Sequence, residues 1–256
     1  MKKIVVAPIV ALILLAGLSS CKKETGYQSN ATLNIINCMV DAEIIVSDFG
    51  MDRSVKYLWE SKFNRYAEHN VYAQLSLPTG LHTITTYNYP DTLSKDAALK
   101  TLSFEAKATD MLNLFFVGDK AHPDTMLIRE EFPVHMYGDS TFSVRFLNLS
   151  YGSNPVRVEV DGAAQSLESN LAYKARSGWH TFSARANAGT YVIRFKDQVS
   201  GNEIASYSIS DAGSTGDFTP NTWRKNNVSI ALIGSPAISS GVFAPACFLI
   251  RHYFPG

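Results

Sequence analysis

This sequence lacks the patterns that would assign it a chemistry. It contains no Gly-x-Ser-x-Gly elbow, no His-Glu-x-x-His pair, no phosphate-binding glycine loop and no Cys-x-x-Cys pair. Its six histidines are scattered, with no two at the spacing of metal ligands. Acidic and basic residues balance at 23 each and form no basic stripe, which argues against nucleic acid as a partner. We therefore expect a protein that is not an enzyme and that needs no cofactor or metal.

Cysteine is also scarce, with three residues in the whole chain. Beyond Cys21, only Cys38 and Cys247 remain, near the two ends of the rest of the chain. A disulfide between them would suit an oxidising compartment, but no sequence feature fixes the geometry that such a bridge requires. The preferred interpretation is that both are small buried hydrophobic residues, and the bridge stays open as the alternative.

Long apolar runs are missing except at the start, where "MKKIVVAPIVALILLAGLSSC" occupies residues 1–21. Two lysines precede an apolar run and a few small residues, which is the order of an export signal. The run is shorter than the roughly 20 residues that a membrane-spanning helix needs. Its end, Leu18-Ser19-Ser20-Cys21, resembles the lipobox of bacterial lipoproteins. We predict a signal peptide at 1–20 and an acylated Cys21 that begins a tether over 21–30.

The resemblance to a lipobox implies a protein that is anchored to a membrane by lipid, since acyl chains contribute about 0.8 kcal/mol per buried methylene. The predicted location is the cell envelope, at the outer membrane or the cell surface. Lys22, Lys23 and Glu24 follow the cysteine, but this short charged tract does not decide which leaflet carries the anchor. An ordinary secretory signal that happens to end in a cysteine is the alternative.

What the chain does contain is a repeat. "LIREEFP" at 127–133 returns as "LIRHYFP" at 249–255. Further matching landmarks occur in the same order in both halves: an apolar strand that ends in Asn37 or Asn148, and an apolar strand that ends in Gly118 or Gly234. Spacings differ mainly in the Gly- and Ser-rich stretch at 211–227, which reads as an inserted loop. One module is therefore predicted to occur twice.

Alternating apolar and polar residues, as in "VRVEVD" at 156–161, indicate strands with one buried face. Each half holds several such strands between turns, so we predict an all-β fold of two tandem immunoglobulin-like antiparallel β-sandwich domains, at 31–138 and 139–256. One segment, 53–69, has apolar residues near helical spacing and is either a helix or a pair of irregular strands.

The second half contains "VRFLNLSYGSNPVRVEVDG" at 144–162, "LAYKA" at 171–175 and "ANAGTYVIRF" at 186–195. Through these segments it resembles domain-of-unknown-function family 4397. The first half follows the same order but has Phe49 where Gly162 follows Asp161. This resemblance implies extracytoplasmic β-sandwich modules, often in tandem on lipoproteins of the Bacteroidetes type, and it implies no catalytic residues.

Candidate contact residues are few. Trp223 lies in the polar inserted loop and is the tryptophan most expected to be exposed, either as a glycan-binding residue or as a plug of a small core. Trp59 and Trp179 are expected to be buried. The stretch from Asp211 to Asp217 has the carboxylates and glycines of a calcium loop without its regular oxygen spacing, so a plain turn is preferred.

The predicted function is that of a non-catalytic surface lipoprotein. Its two rigid modules would present loops to a glycan or to an envelope protein. The alternatives are an architectural spacer or accessory subunit of an envelope complex, and an enzyme whose residues are too dispersed to recognise from sequence.

Overall fold

The computed structural model describes residues 30–49, 62–64, 74–90, 97–163, 165–213 and 221–252. The predicted signal peptide, Cys21, Trp59 and nearly all of the tether lie outside these ranges, and so does most of the segment predicted as a helix or strand pair. The described part of that segment, Lys62–Asn64, is a strand. No helix within the described ranges is long and apolar enough to cross a membrane.

The first half folds into two four-stranded sheets. Its strands are β1 (Ala31–Asn37), β2 (Ile44–Asp48), β3 (Lys62–Asn64), β4 (Gln74–Leu77), β5 (Gly80–Asn88), β6 (Lys100–Ala106), β7 (Met111–Gly118) and β8 (Pro123–Arg129). One sheet has the order β4-β1-β7-β8 and the other β3-β2-β5-β6. Apolar residues from both sheets meet between them and form a common core.

The second half repeats this arrangement. Its strands are β9 (Thr141–Asn148), β10 (Val156–Val160), β11 (Glu168–Leu171), β12 (Ala175–Arg176), β13 (His180–Ser183), β14 (Tyr191–Asp197), β15 (Glu203–Ile209), β16 (Asn227–Ile233) and β17 (Ala246–Arg251). One sheet has the order β12-β9-β16-β17 with β13 also paired to β9, and the other has the order β11-β10-β14-β15. The predicted all-β sandwich fold is confirmed.

One pairing in each half departs from the predicted antiparallel pattern. β1 pairs with β7 in parallel, and β9 pairs with β16 in parallel, whereas the other pairings of the described strands are antiparallel. Both parallel pairs lie at the centre of a sheet. Their strands are covered on both faces, which explains why "NLFFVG" at 113–118 is apolar without alternation.

The repeated asparagines have a structural role. Asn37 and Asn148 end the equivalent strands β1 and β9, and each turns the chain with its own side chain. The Oδ1 of Asn37 accepts a hydrogen bond from the Met39 amide at 3.1 Å, and the Oδ1 of Asn148 accepts one from the Ser150 amide at 3.2 Å. Such turns suit asparagine, because its short side chain reaches the backbone two residues ahead.

A third apolar cluster joins the two halves. It contains Ile36, Cys38, Phe115, Val117 and Ile128 from the first half and Leu147, Leu149, Ala231, Ile233 and Ile250 from the second. Counted from the repeated landmarks, these ten residues form five equivalent pairs. The two halves therefore meet through corresponding faces, as the subunits of a two-fold dimer do.

Strand pairing among the described residues stays within 31–138 or within 139–256. The shared apolar cluster nevertheless removes the outer face of one sheet of each half from water. The predicted boundary between separate domains at 138 and 139 stays a prediction, but the sheets on either side of it share a buried surface.

Candidate functional site

A concave surface lies in the second half, between β13 at the edge of one sheet and the ends of β10 and β14 in the other sheet. It is an open groove of about 540 Å³, in the size range of small-ligand sites. The groove is lined by Val160, Asp161, Gly162, Ala163, Leu167, Trp179, His180, Thr181, Phe182 and Tyr191. The turn after β10 and the residues around β13 supply most of this lining, and Tyr191 begins β14.

The groove combines an apolar floor with aromatic sides and a polar rim. Val160 and Phe182 are buried, while Asp161 and Thr181 are exposed. Trp179 and Tyr191 are half-buried, so part of each ring belongs to the groove. Flat aromatic rings next to hydrogen-bonding groups suit a ligand with both apolar and hydroxyl-bearing faces.

Asp161 supplies a fixed negative charge at the rim. Arg194 holds it with two hydrogen bonds, from Nε to Oδ1 at 2.6 Å and from Nη2 to Oδ2 at 2.7 Å. The side-chain hydrogen bond from Arg194 lowers the pKa of Asp161 below its usual value. Arg194 also donates to Glu203 at 2.6 Å, so its charge is taken up by two carboxylates.

His180 connects the edges of the two sheets. Its Nε2 lies 3.0 Å from Oε1 of Glu168, which joins β13 to β11. The described lining residues include no lysine or arginine. An anionic ligand would therefore find no unpaired cation in the groove, whereas a neutral polar ligand could bond to the carboxylate and hydroxyl groups of the rim.

The expectation that Trp223 is exposed is wrong. Trp223 is 9% exposed and belongs to the core of the second sandwich, with its ring centroid 5.4 Å from that of Phe142. Its indole nitrogen donates to the Ser210 carbonyl at 3.2 Å. A polar loop carries the indole, but the indole folds inward because burial removes its large apolar surface from water and this hydrogen bond satisfies its nitrogen.

Trp179, by contrast, was expected to be buried and is half-buried at the groove. Its indole nitrogen donates to the Glu131 carbonyl at 3.0 Å. Sequence reasoning missed the groove because its lining residues come from separate turns that only the fold brings together. The available signal was the dense polar and aromatic run "SGWHTF" at 177–182, which overlaps β13.

Cys38 and Cys247 are both free thiols. Cys38 is buried in the cluster between the halves, and Cys247 packs against the core of the second half. The preferred prediction of two buried hydrophobic residues holds for Cys38, whereas Cys247 is only partly buried.

No three His, Cys, Asp or Glu side chains come together as metal ligands within the described ranges. Of the stretch considered for calcium, residues 214–217 lie outside those ranges. Asp211 is described and has a positive φ of 59°, which is common for an aspartate in a turn.

No family model matches the chain, and no curated protein matches it. A streptococcal virulence factor that binds alpha-glucan is 11% identical, with 84% of this chain and 97% of that chain covered, at a TM-score of 0.25. The fimbrial anchor protein Mfa2 of Porphyromonas gingivalis is 10% identical, with 88% of this chain and 99% of that chain covered, at a TM-score of 0.25.

A family 26 carbohydrate-binding module of Eubacterium rectale, solved in complex with maltoheptaose, is 9% identical to this chain. The match covers 88% of this chain and 98% of that module's chain, at a TM-score of 0.24. Similarity this remote gives no ground for transferring a ligand or a site from these proteins.

Proposed function

We propose that this chain is a non-catalytic binding protein that holds a neutral oligosaccharide in the groove lined by Trp179 and Tyr191. The observation that carries the proposal is the lining itself: two partly exposed aromatic rings, an apolar floor and a rim of carboxylate and hydroxyl groups without a free cation. Sugar rings present apolar faces and hydroxyl edges, so both kinds of lining would be used.

We also propose a location in the cell envelope and a protein family for this chain. Residues 1–21 support export and acylation of Cys21 through their order of charge, apolar run and lipobox-like end. An anchored chain would present the groove outside the cell envelope, at the outer membrane or the cell surface. Membership in domain-of-unknown-function family 4397 rests on the resemblance of the second half and is proposed on that basis.

Blocking the groove tests the proposal. Ala163 lines the groove and is exposed, so Ala163→Trp should fill it without disturbing the core. Ala172 is exposed and is not among the lining residues, which makes Ala172→Trp the matched control. Neutral oligosaccharides that bind the unchanged protein should bind Ala163→Trp at least about tenfold more weakly, a difference of roughly 1.4 kcal/mol, and Ala172→Trp equally well.

Calorimetric titration after a glycan-array screen supplies the measurement. Equal binding by the two variants would contradict the groove as the site. Binding that is confined to acidic polysaccharides and lost in high salt would contradict the neutral ligand. Reproducible turnover of a bound sugar would contradict the non-catalytic assignment.

A second candidate function is contact with an envelope protein, which a run of exposed residues in the segment between the halves favours. Val134, Met136 and Tyr137 are exposed at 87%, 73% and 102% within four residues of chain. Exposed apolar residues that cluster in this way often belong to a protein interface. If a partner binds there, changing the three residues to serine should abolish its binding and leave oligosaccharide binding intact.

A further inference from the structure

Trp179, the aromatic side of the groove, is held by residues of the first half. Besides the bond to the Glu131 carbonyl, its ring packs against Phe132, with centroids 5.9 Å apart and planes at 60°. The guanidinium carbon of Arg145 lies 4.7 Å from the centroid of the Trp179 ring. A cation at this distance is attracted to the face of an indole, and more strongly where water is excluded.

Arg145 is itself fixed from the first half. Its side chain and that of Glu130 are each 1% exposed, and Nη2 of Arg145 donates to Oε1 of Glu130. The Nε of Arg145 donates to Ser229 Oγ at 2.7 Å. A guanidinium bound through two of its nitrogens is restrained in its plane, so the orientation of Arg145 against the indole depends on a carboxylate of the other half.

The repeat explains why this support crosses between the halves. Glu130 and His252 occupy equivalent positions in the repeated "LIREEFP" and "LIRHYFP". Arg145 is the equivalent of Asn34, which donates to Asn113 at 3.1 Å in the first half. The repeat thus has Glu130 in the first half where the second has His252, and Arg145 in the second half where the first has Asn34. The buried carboxylate therefore belongs to one half and the buried guanidinium to the other.

The described part of the first half has different residues at the equivalent place. Leu75 pairs with Leu33 where His180 pairs with the equivalent Val144. Gln74 stands just before Leu75, as Trp179 stands before His180. The first half therefore has no tryptophan to offer a ligand at this place, while its end contacts the tryptophan of the second half.

We infer that Glu130 and Arg145 are positioning residues for the groove, through which the first half holds Trp179 in the orientation that a sugar requires. This inference rests on the proposed oligosaccharide function. A change at Glu130, which is not a lining residue of the groove, should weaken binding there and alter the surroundings of Trp179.

Fluorine NMR of the full chain labelled with 5-fluorotryptophan gives a readout that needs no ligand. The chain has three tryptophans, and Trp179→Phe identifies the resonance of Trp179 by its loss. In Glu130→Gln the Trp179 resonance should shift or broaden, while that of Trp223, in the core, should stay in place. The affinity for the oligosaccharide should fall about tenfold.

Because Glu130→Gln leaves a buried arginine without its counter-charge, a second variant removes both charges. Glu130→Leu combined with Arg145→Met should fold, since apolar residues can replace a buried ion pair. It should also move the Trp179 resonance and weaken binding. Asp124→Asn is the control: it removes another ion pair between the halves, with Lys174, at the other end of β7. It should change neither readout.

An unmoved Trp179 resonance in both charge variants would overturn the inference, and so would a moved resonance with unchanged affinity. If the unchanged protein binds no oligosaccharide at all, the proposed function fails, while the resonance of Trp179 still reports whether the ion pair orients the ring.

Discussion

Replacing Gly234 by alanine should destabilise the protein through a collision as well as through backbone strain. Gly234 follows β16 and has a φ of +82°, and a Cβ added to it would lie only 2.3 Å from the Ala244 carbonyl oxygen. Gly118, its repeat equivalent, has a φ of +90°, and its added Cβ would meet the His122 carbonyl oxygen at the same 2.3 Å. Each glycine thus lies where the chain passes close to its own hairpin partner.

Gly162 makes it possible to separate the two costs. Its φ is +81°, nearly that of Gly234, but an added Cβ would meet nothing within 4 Å. A left-handed conformation costs an alanine about 1–2 kcal/mol, which is the whole effect expected for Gly162→Ala. A Cβ that must displace backbone adds roughly 1–3 kcal/mol, the range of overpacking. Gly234→Ala should therefore cost about 2–5 kcal/mol.

Guanidinium unfolding of the three alanine variants, followed by tryptophan fluorescence, measures these differences. In thermal unfolding, each kcal/mol lost from the free energy of unfolding should lower the Tm of a chain of this size by about 2–4 °C. Gly118→Ala should behave like Gly234→Ala, because each added Cβ would meet a backbone carbonyl oxygen at the same distance and each glycine has a positive φ. Equal losses for Gly162→Ala and Gly234→Ala would refute the collision as a separate cost.

Three further outcomes are expected. Trp223→Ala should lower the free energy of unfolding by about 3–5 kcal/mol, because a buried indole leaves a large cavity, and should leave oligosaccharide affinity unchanged in the folded fraction. Since the pKa of Asp161 is lowered by Arg194, this carboxylate adds stability above its unfolded pKa of about 3.9 that is lost as the pH falls further. The stability difference between Arg194→Gln and the unchanged protein should therefore shrink from pH 7 to strongly acidic pH in urea titrations. Burial raises the pKa of Cys247 to about 12 and raises that of Cys38 as well, so maleimide should label both thiols far more slowly in native than in unfolded protein, with mass spectrometry as the readout.

Much of the fold could be predicted from local patterns. Alternation in "VRVEVD" places Val156, Val158 and Val160 in the core, where they are buried. The repeated asparagines and glycines mark the same turns in both halves, because a turn is a local conformation that a few residues specify. The parallel pairing of β1 with β7 was not predicted, since it joins strands that are far apart in the sequence.

The candidate site was much harder to predict. The polar neighbours of Trp223 favour a surface position for it, but burial is decided by what the ring meets after folding. Arg145 stands out as a charged residue within an apolar strand, and Glu130 lies in the repeated heptapeptide, yet nothing local connects them. Their pairing depends on two sheets that pack face to face.

The sequence by itself determined the all-β class and the internal repeat, because alternation and turn residues act over a few neighbouring positions. Only the tertiary structure decided that the halves share a buried face, that Trp223 points inward, and that Trp179 borders a groove. Those features depend on contacts between distant segments, where apolar burial and the pairing of buried charges select one arrangement of strands that are locally much alike.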